Sequence, residues 1–217
     1  MVEGLAKLKP GLAKLKAPDP AKAHGAWVYL VISIVAGVLS AARFDPATAC
    51  LAGLAFLGVF LSAGSLASYP KRWLGRFVAG LTLVCACVAT ALALGSNPMF
   101  LAYGAVAVFP AAAAAWFAFR HGFQSAGALS FAVVTLVVVA PASLCAGGAP
   151  HFLGLLLLGL LAPFFAWRTW CTRQALRASH GWTRGQLRAL GWREAAIALG
   201  WTTFSIAIVH IAAERVG

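Results

Sequence analysis

Five histidines, five acidic residues and five cysteines are the side chains here that can do chemistry, and their placement limits which chemistry that is. His24, His121 and His180 border apolar runs on one side, and His151 and His210 border them on the other. Two histidines at one membrane face can hold a haem iron from either side, and His151 with His210 is the pair that qualifies. No HxxxH spacing occurs, so a metal site has little else to rest on. His24 opens the string His24-Gly25-Ala26-Trp27 at the mouth of the first long apolar run. There the helix dipole favours a neutral ring. Such a ring can bond a loop carbonyl and anchor the helix start, or it can serve with Trp27 as a ligand contact.

The acids are Glu3, Asp19, Asp45, Glu194 and Glu214, with no Asp after position 45. That excludes the clustered aspartates that hold magnesium against a diphosphate. Paired-carboxylate catalysis and a buried carboxylate relay lack residues too. No Gly-x-Ser-x-Gly or phosphate-binding Gly-rich loop occurs. The cysteines, Cys50, Cys85, Cys87, Cys145 and Cys171, form no CxxC pair and read as small apolar packing residues. Cys50 and Cys145 fall near the outer ends of their runs, so a disulfide between them is the alternative in an oxidising compartment.

Three further patterns carry binding expectations. Gly58, Ser62, Ser65 and Tyr69 recur at steps of four, three and four, which places them on one helix face. Such a face serves close helix packing or lines a ligand pocket. Pro110, Pro141 and Pro163 interrupt backbone hydrogen bonding inside three runs and should kink each helix, which can open a cavity. The longest polar segment, about 171–192, holds Arg173, Arg177, Arg184 and Arg188 with His180, Trp182 and Trp192. It reads as a basic interfacial helix suited to anionic lipid headgroups.

The elements that must position these residues are membrane spans. The chain is 62% hydrophobic and only 10% charged, with a mean hydropathy of +0.87. An ordinary soluble domain carries about a quarter charged residues. Seven apolar runs stand at about 26–42, 47–66, 77–95, 99–119, 126–146, 152–170 and 195–213, each near the length a helix needs to cross a bilayer. Of the 17 Lys and Arg, all but Arg43 and Arg215 fall on one side of these runs. The positive-inside rule then puts the N-terminus in the cytoplasm and the C-terminus outside. The net charge of +12 sits in the gaps between spans, which assigns it to orientation and anionic headgroups. Nucleic acid is excluded, because no basic soluble domain exists to hold it. Residues 1–23 form a basic, proline-interrupted cytoplasmic tail with an internal repeat, Gly4–Pro10 and Gly11–Ala17, and 24–217 form one transmembrane domain.

His24-Gly-Ala-Trp27, Leu66-Ala-Ser-Tyr-Pro70, the basic loop after it, and the small-residue fifth run following Arg120 resemble the YwiC-like family of bacterial integral membrane proteins. The likeness covers roughly 22–213. Ala23 departs from the Glu or Gln that often precedes the histidine, and Ala166-Trp-Arg168 replaces a histidine-containing stretch. The resemblance implies a multi-pass protein of the bacterial cytoplasmic membrane and carries no established activity. The expectation is an all-α bundle of about seven spans, non-enzymatic, serving as a carrier for a small or lipophilic compound or as an accessory subunit of a membrane complex. A haem-binding redox protein is the alternative, and an enzyme acting on lipid headgroups through His180 ranks third. As a carrier, the chain should hold a cavity lined by Gly58, Ser62, Ser65, Tyr69 and the proline kinks.

Overall fold

The computed structural model describes residues 24–66, 73–122, 124–178 and 183–215. The basic tail, Tyr69, His180 and Trp182 lie outside the described residues, as do the side chains of His24, Ser65, Arg177 and Arg184. All regular structure among the described residues is helical: α1 (His24–Ser40), α2 (Pro46–Leu66), α3 (Trp73–Ala93), α4 (Phe100–His121), α5 (Ala126–Val137), α6 (Val139–Ala146), α7 (His151–Ala178) and α8 (Arg184–Glu214). Among the described residues, five stretches are long and apolar enough to cross a membrane: Leu74–Ala93, Phe100–His121, Ala126–Ala146, His151–Leu176 and Arg188–Glu214. The other two apolar segments, Ala26–Ser40 and Pro46–Ser62, are shorter. The protein is an all-helical bundle of membrane type.

Local chemistry sets most helix ends. The Asp45 carboxylate caps α2, accepting hydrogen bonds from the backbone N–H of Ala47 at 2.9 Å and Thr48 at 3.3 Å. Gly122 ends α4 at φ 87°, a conformation that glycine adopts without strain. Ser125 caps α5 by accepting from Ala128 N–H at 3.2 Å. Thr183 and Gln186 form a reciprocal capping box that starts α8. The fifth apolar run breaks at Val138, three residues before Pro141, so α5 and α6 are two pieces of one span. Pro110 and Pro163 instead sit inside uninterrupted helices.

The basic segment at 171–192 is not one interfacial helix. Its first eight residues continue α7 to Ala178, and Arg184 onward belongs to α8. An apolar run measures the part of a helix that lipid touches, whereas backbone hydrogen bonding carries the helix on into polar residues.

The bundle is built around α6, every residue of which is buried. It can be buried on all sides because its neighbours present small residues. A Cβ on Gly37 of α1 would lie 2.6 Å from both the Ala140 carbonyl oxygen and the Ser143 Cβ. Thr48 Oγ1 donates to the Ala146 carbonyl at 3.0 Å, and Asp45 N–H to the Gly147 carbonyl at 2.9 Å, fastening the start of α2 to the end of α6. Along α7, Leu153, Leu157, Leu161 and Phe165 repeat every four residues and are fully buried. Trp201 of α8 stacks on Phe164 with ring centroids 4.6 Å apart and donates from Nε1 to the Leu160 carbonyl at 2.8 Å.

Polar clasps hold the helix ends. At one face Arg43 pairs with Glu214, and His210 Nε2 lies 3.1 Å from the Leu39 carbonyl. At the other, Arg168 grips Glu194 through Nε at 3.0 Å and Nη2 at 2.5 and 2.7 Å. There Tyr29 and Thr169 hydroxyls also share a hydrogen bond at 3.4 Å.

Candidate functional site

A lateral apolar groove runs between α2 and α4. Its larger part, about 310 Å³, is lined by Leu30, Phe56, Val59, Phe60, Gly104, Ala107, Val108, Ala111, Thr135, Leu136 and Val139. A second lobe of about 120 Å³ continues past Phe56, Val59 and Gly104 to Val84, Val88 and Phe100. The space exists because α2 is committed elsewhere: its small-residue face closes on α3. A Cβ on Gly58 would lie 2.7 Å from the Gly80 carbonyl oxygen, and Ser62 Oγ donates to the Phe77 carbonyl at 3.4 Å. The opposite face of α2 is left with Phe56, Val59 and Phe60, too bulky to let α4 approach closely.

Aromatic rings close both ends of the groove. Phe100, 1% exposed, packs with Ala52, Ala146 and Val88 at one end. At the other, Trp27 meets Phe60 edge-on, with centroids 5.0 Å apart. Gly104 keeps the middle open: a Cβ there would touch only Phe56 Cζ, at 3.9 Å. Thr135 is the one hydroxyl in the lining, and it donates to the Phe131 carbonyl at 2.9 Å. The walls therefore present hydrocarbon and no spare donor.

The cavity expected from sequence is thus displaced. Gly58 and Ser62 do not line it; they are spent on the α2–α3 contact, where absence of side-chain bulk lets two backbones meet. Trp27 is not in the lining; it packs against Phe60, which is. Pro110, Pro141 and Pro163 do not line it either.

The remaining candidates are dispersed. His151 lines a separate cavity of about 250 Å³ with Met99, Ala102, Tyr103, Val106 and Leu155, which holds no atom of His210. His210 is turned to Leu39 on α1. That geometry does not fit one iron held between the two rings. The Cys50–Cys145 disulfide is not formed. All five cysteines are free thiols; Cys50 is exposed at the start of α2, and Cys145 is buried with its sulfur 3.6 Å from the Tyr103 hydroxyl. Arg173 donates to Gln124 Oε1 at 3.3 Å, tying α7 to the segment before α5, and Arg188 is exposed.

Sequence reasoning missed the Arg168–Glu194 clamp. Its signal was available: Glu194 is the one acid between Asp45 and Glu214, at the edge of an apolar run, and a carboxylate there needs a cation. Each of the three described carboxylates joins elements or caps one: Asp45 caps α2, Glu194 holds α7 to α8, and Glu214 holds α8 to Arg43.

No family model matches the chain, and no curated protein or solved structure matches it.

Proposed function

We propose that this chain is a non-enzymatic, seven-span protein of a bacterial cytoplasmic membrane that receives the hydrocarbon chain of a lipophilic compound sideways from the bilayer. The groove carries this reading. Its main lobe of about 310 Å³ falls at the lower end of the roughly 300–1,000 Å³ usual for ligand sites. Its lining runs along α4 from Phe100 to Ala111, about 16 Å at 1.5 Å per residue. That is about half of a ~30 Å hydrocarbon core, the depth of one leaflet. With aromatic plugs at both ends, the open route is lateral, past the exposed Val59 and Val108. Walls without a spare donor select a chain and not a polar solute.

The sidedness follows the charge asymmetry. Arg173 beside Gln124 supports a shared face for the α4–α5 loop and the arginine-rich ends of α7 and α8, and the Arg43–Glu214 pair supports the opposite face for the outer charges. We assign the first to the cytoplasm. Membership of the YwiC-like family rests on His24–Trp27 and the layout of the runs.

The test is Gly104→Leu, which fills the groove from a position where a Cβ meets only the edge of the Phe56 ring. Purified wild-type protein should retain an alkyl-chain probe, or release a co-purified lipophile on solvent extraction. The variant should fold with equal or greater thermal stability and lose that material. Equal retention by both proteins refutes the groove as a ligand site.

A further inference from the structure

Two cations meet one carboxylate at the cytoplasmic ends of α7 and α8. Arg168 occupies both oxygens of Glu194, and Arg193 reaches the same carboxylate at only 3.4 Å with its side chain 65% exposed. The trio carries one surplus positive charge. Arg193 also lines a cleft of about 380 Å³ with Ala175 of α7 and Gln186, Ala189 and Leu190 of α8. Gln186 Oε1 accepts the Thr183 N–H at 2.8 Å, which leaves its amide NH₂ as a donor. The cleft thus combines an under-neutralised guanidinium and an amide with a floor of alanine and leucine.

Its level in the bundle is set by the apolar runs, which end at about Trp170 in α7 and resume at Ala195 in α8. The ion pair marks that boundary. From Arg193 the cleft extends to Gln186, about 10 Å along the axis, into the layer where headgroups lie beyond a ~30 Å core.

We propose that this cleft binds the phosphate of an anionic amphiphile, with Arg193 as the principal ligand and the apolar floor receiving the glycerol end of the molecule. It is a different site from the groove and does not depend on it. A bidentate guanidinium suits a phosphodiester, and the surplus charge is what a bound anion neutralises.

Full-length protein in mild detergent is titrated with short-chain phosphatidylglycerol, short-chain phosphatidylcholine and glycerol 1-phosphate in about 1 M salt, where the Debye length of ~3 Å screens diffuse attraction. Phosphatidylglycerol should bind about tenfold or more tightly than phosphatidylcholine, and Arg193→Gln should remove about tenfold or more of that affinity. Arg120→Gln removes the same charge from the exposed end of α4, outside the cleft, and under screening should cost less than about twofold. Competition by glycerol 1-phosphate at equal affinity would make a soluble phosphate ester the ligand; its failure to compete would make it the lipid. Equal losses in the two variants, or equal binding of the two lipids, overturn the proposal.

Discussion

Substituting Gly37 tests the packing on which the whole bundle depends. In Gly37→Ala the new methyl would lie 2.6 Å from the Ala140 carbonyl oxygen and from Ser143 Cβ, so backbone must move. Overpacking of this kind costs about 1–3 kcal/mol, offset by the ~0.5–1 kcal/mol that alanine gains over glycine inside a helix. Gly159→Ala is the matched control, because a Cβ there meets nothing within 4 Å. The propensity gain is common to both and cancels in their difference, leaving about 1–3 kcal/mol from the contact alone. At about 2–4 °C per kcal/mol for a chain of this size, the two melting temperatures should differ by about 2–12 °C. Thermal unfolding in one detergent at one protein concentration measures it, with Gly37→Ala the lower. If both variants shift alike, α1 and α6 are not in backbone contact and the seam is wrongly described.

Glu194→Gln should destabilise the protein more than Arg193→Gln, because it strands Arg168, whose side chain is only 20% exposed. Stranding a fully buried partner costs about 3–5 kcal/mol; discounted for this exposure, about 1–3 kcal/mol is expected in the same melting assay. Acid should weaken the α2 cap. Partial desolvation pulls the Asp45 carboxyl up, but hydrogen bonds from Thr48 and Ala47 pull harder the other way and hold it below the usual range. A depressed carboxylate contributes stability above its unfolded pKa and loses it as pH falls through the folded value, so the effect belongs below about pH 4. Asp45→Asn should flatten melting temperature against pH in that window, and an unchanged slope would contradict the cap. Cys50, exposed at the α2 start, should react with a membrane-impermeant maleimide added to intact cells, while buried Cys145 should not. Labelling of Cys50 only after cell lysis would reverse the assigned topology.

Much of the fold was legible because lipid imposes its own rule: an apolar run marks helix, whole or, at 126–146, in two pieces, and the runs at 47–66 and 99–119 match α2 and α4 to within two residues. Where the helix outran the lipid the boundary was missed, as in α7, which continues eight residues past Trp170. The start of α8 was encoded all the same in Thr183-Arg-Gly-Gln186, a capping signature. The spacing of Gly58 and Ser62 identified a contact face but not its partner. Both packing and pocket fit that pattern, and only the position of Gly80 decides between them. The groove was illegible for a related reason. Phe56, Val59, Gly104 and Thr135 form no motif along the chain, and the cavity arises from what α2 and α4 fail to fill.

The seam between Gly37 and Ser143 also sets a timetable for assembly. About a hundred residues separate its two halves, so at roughly 5–20 residues per second α1 waits about 5–20 s for its partner to be made. Throughout that interval Ser33, Gly37 and Ser40, buried in the finished bundle or facing its seam, are turned toward lipid or toward whatever shelters nascent spans. α8 then fastens back onto Leu39 of α1 through His210, and onto Arg43 just beyond it through Glu214. The clasp of α8 onto the α1 end therefore forms only after the α1–α6 seam can close.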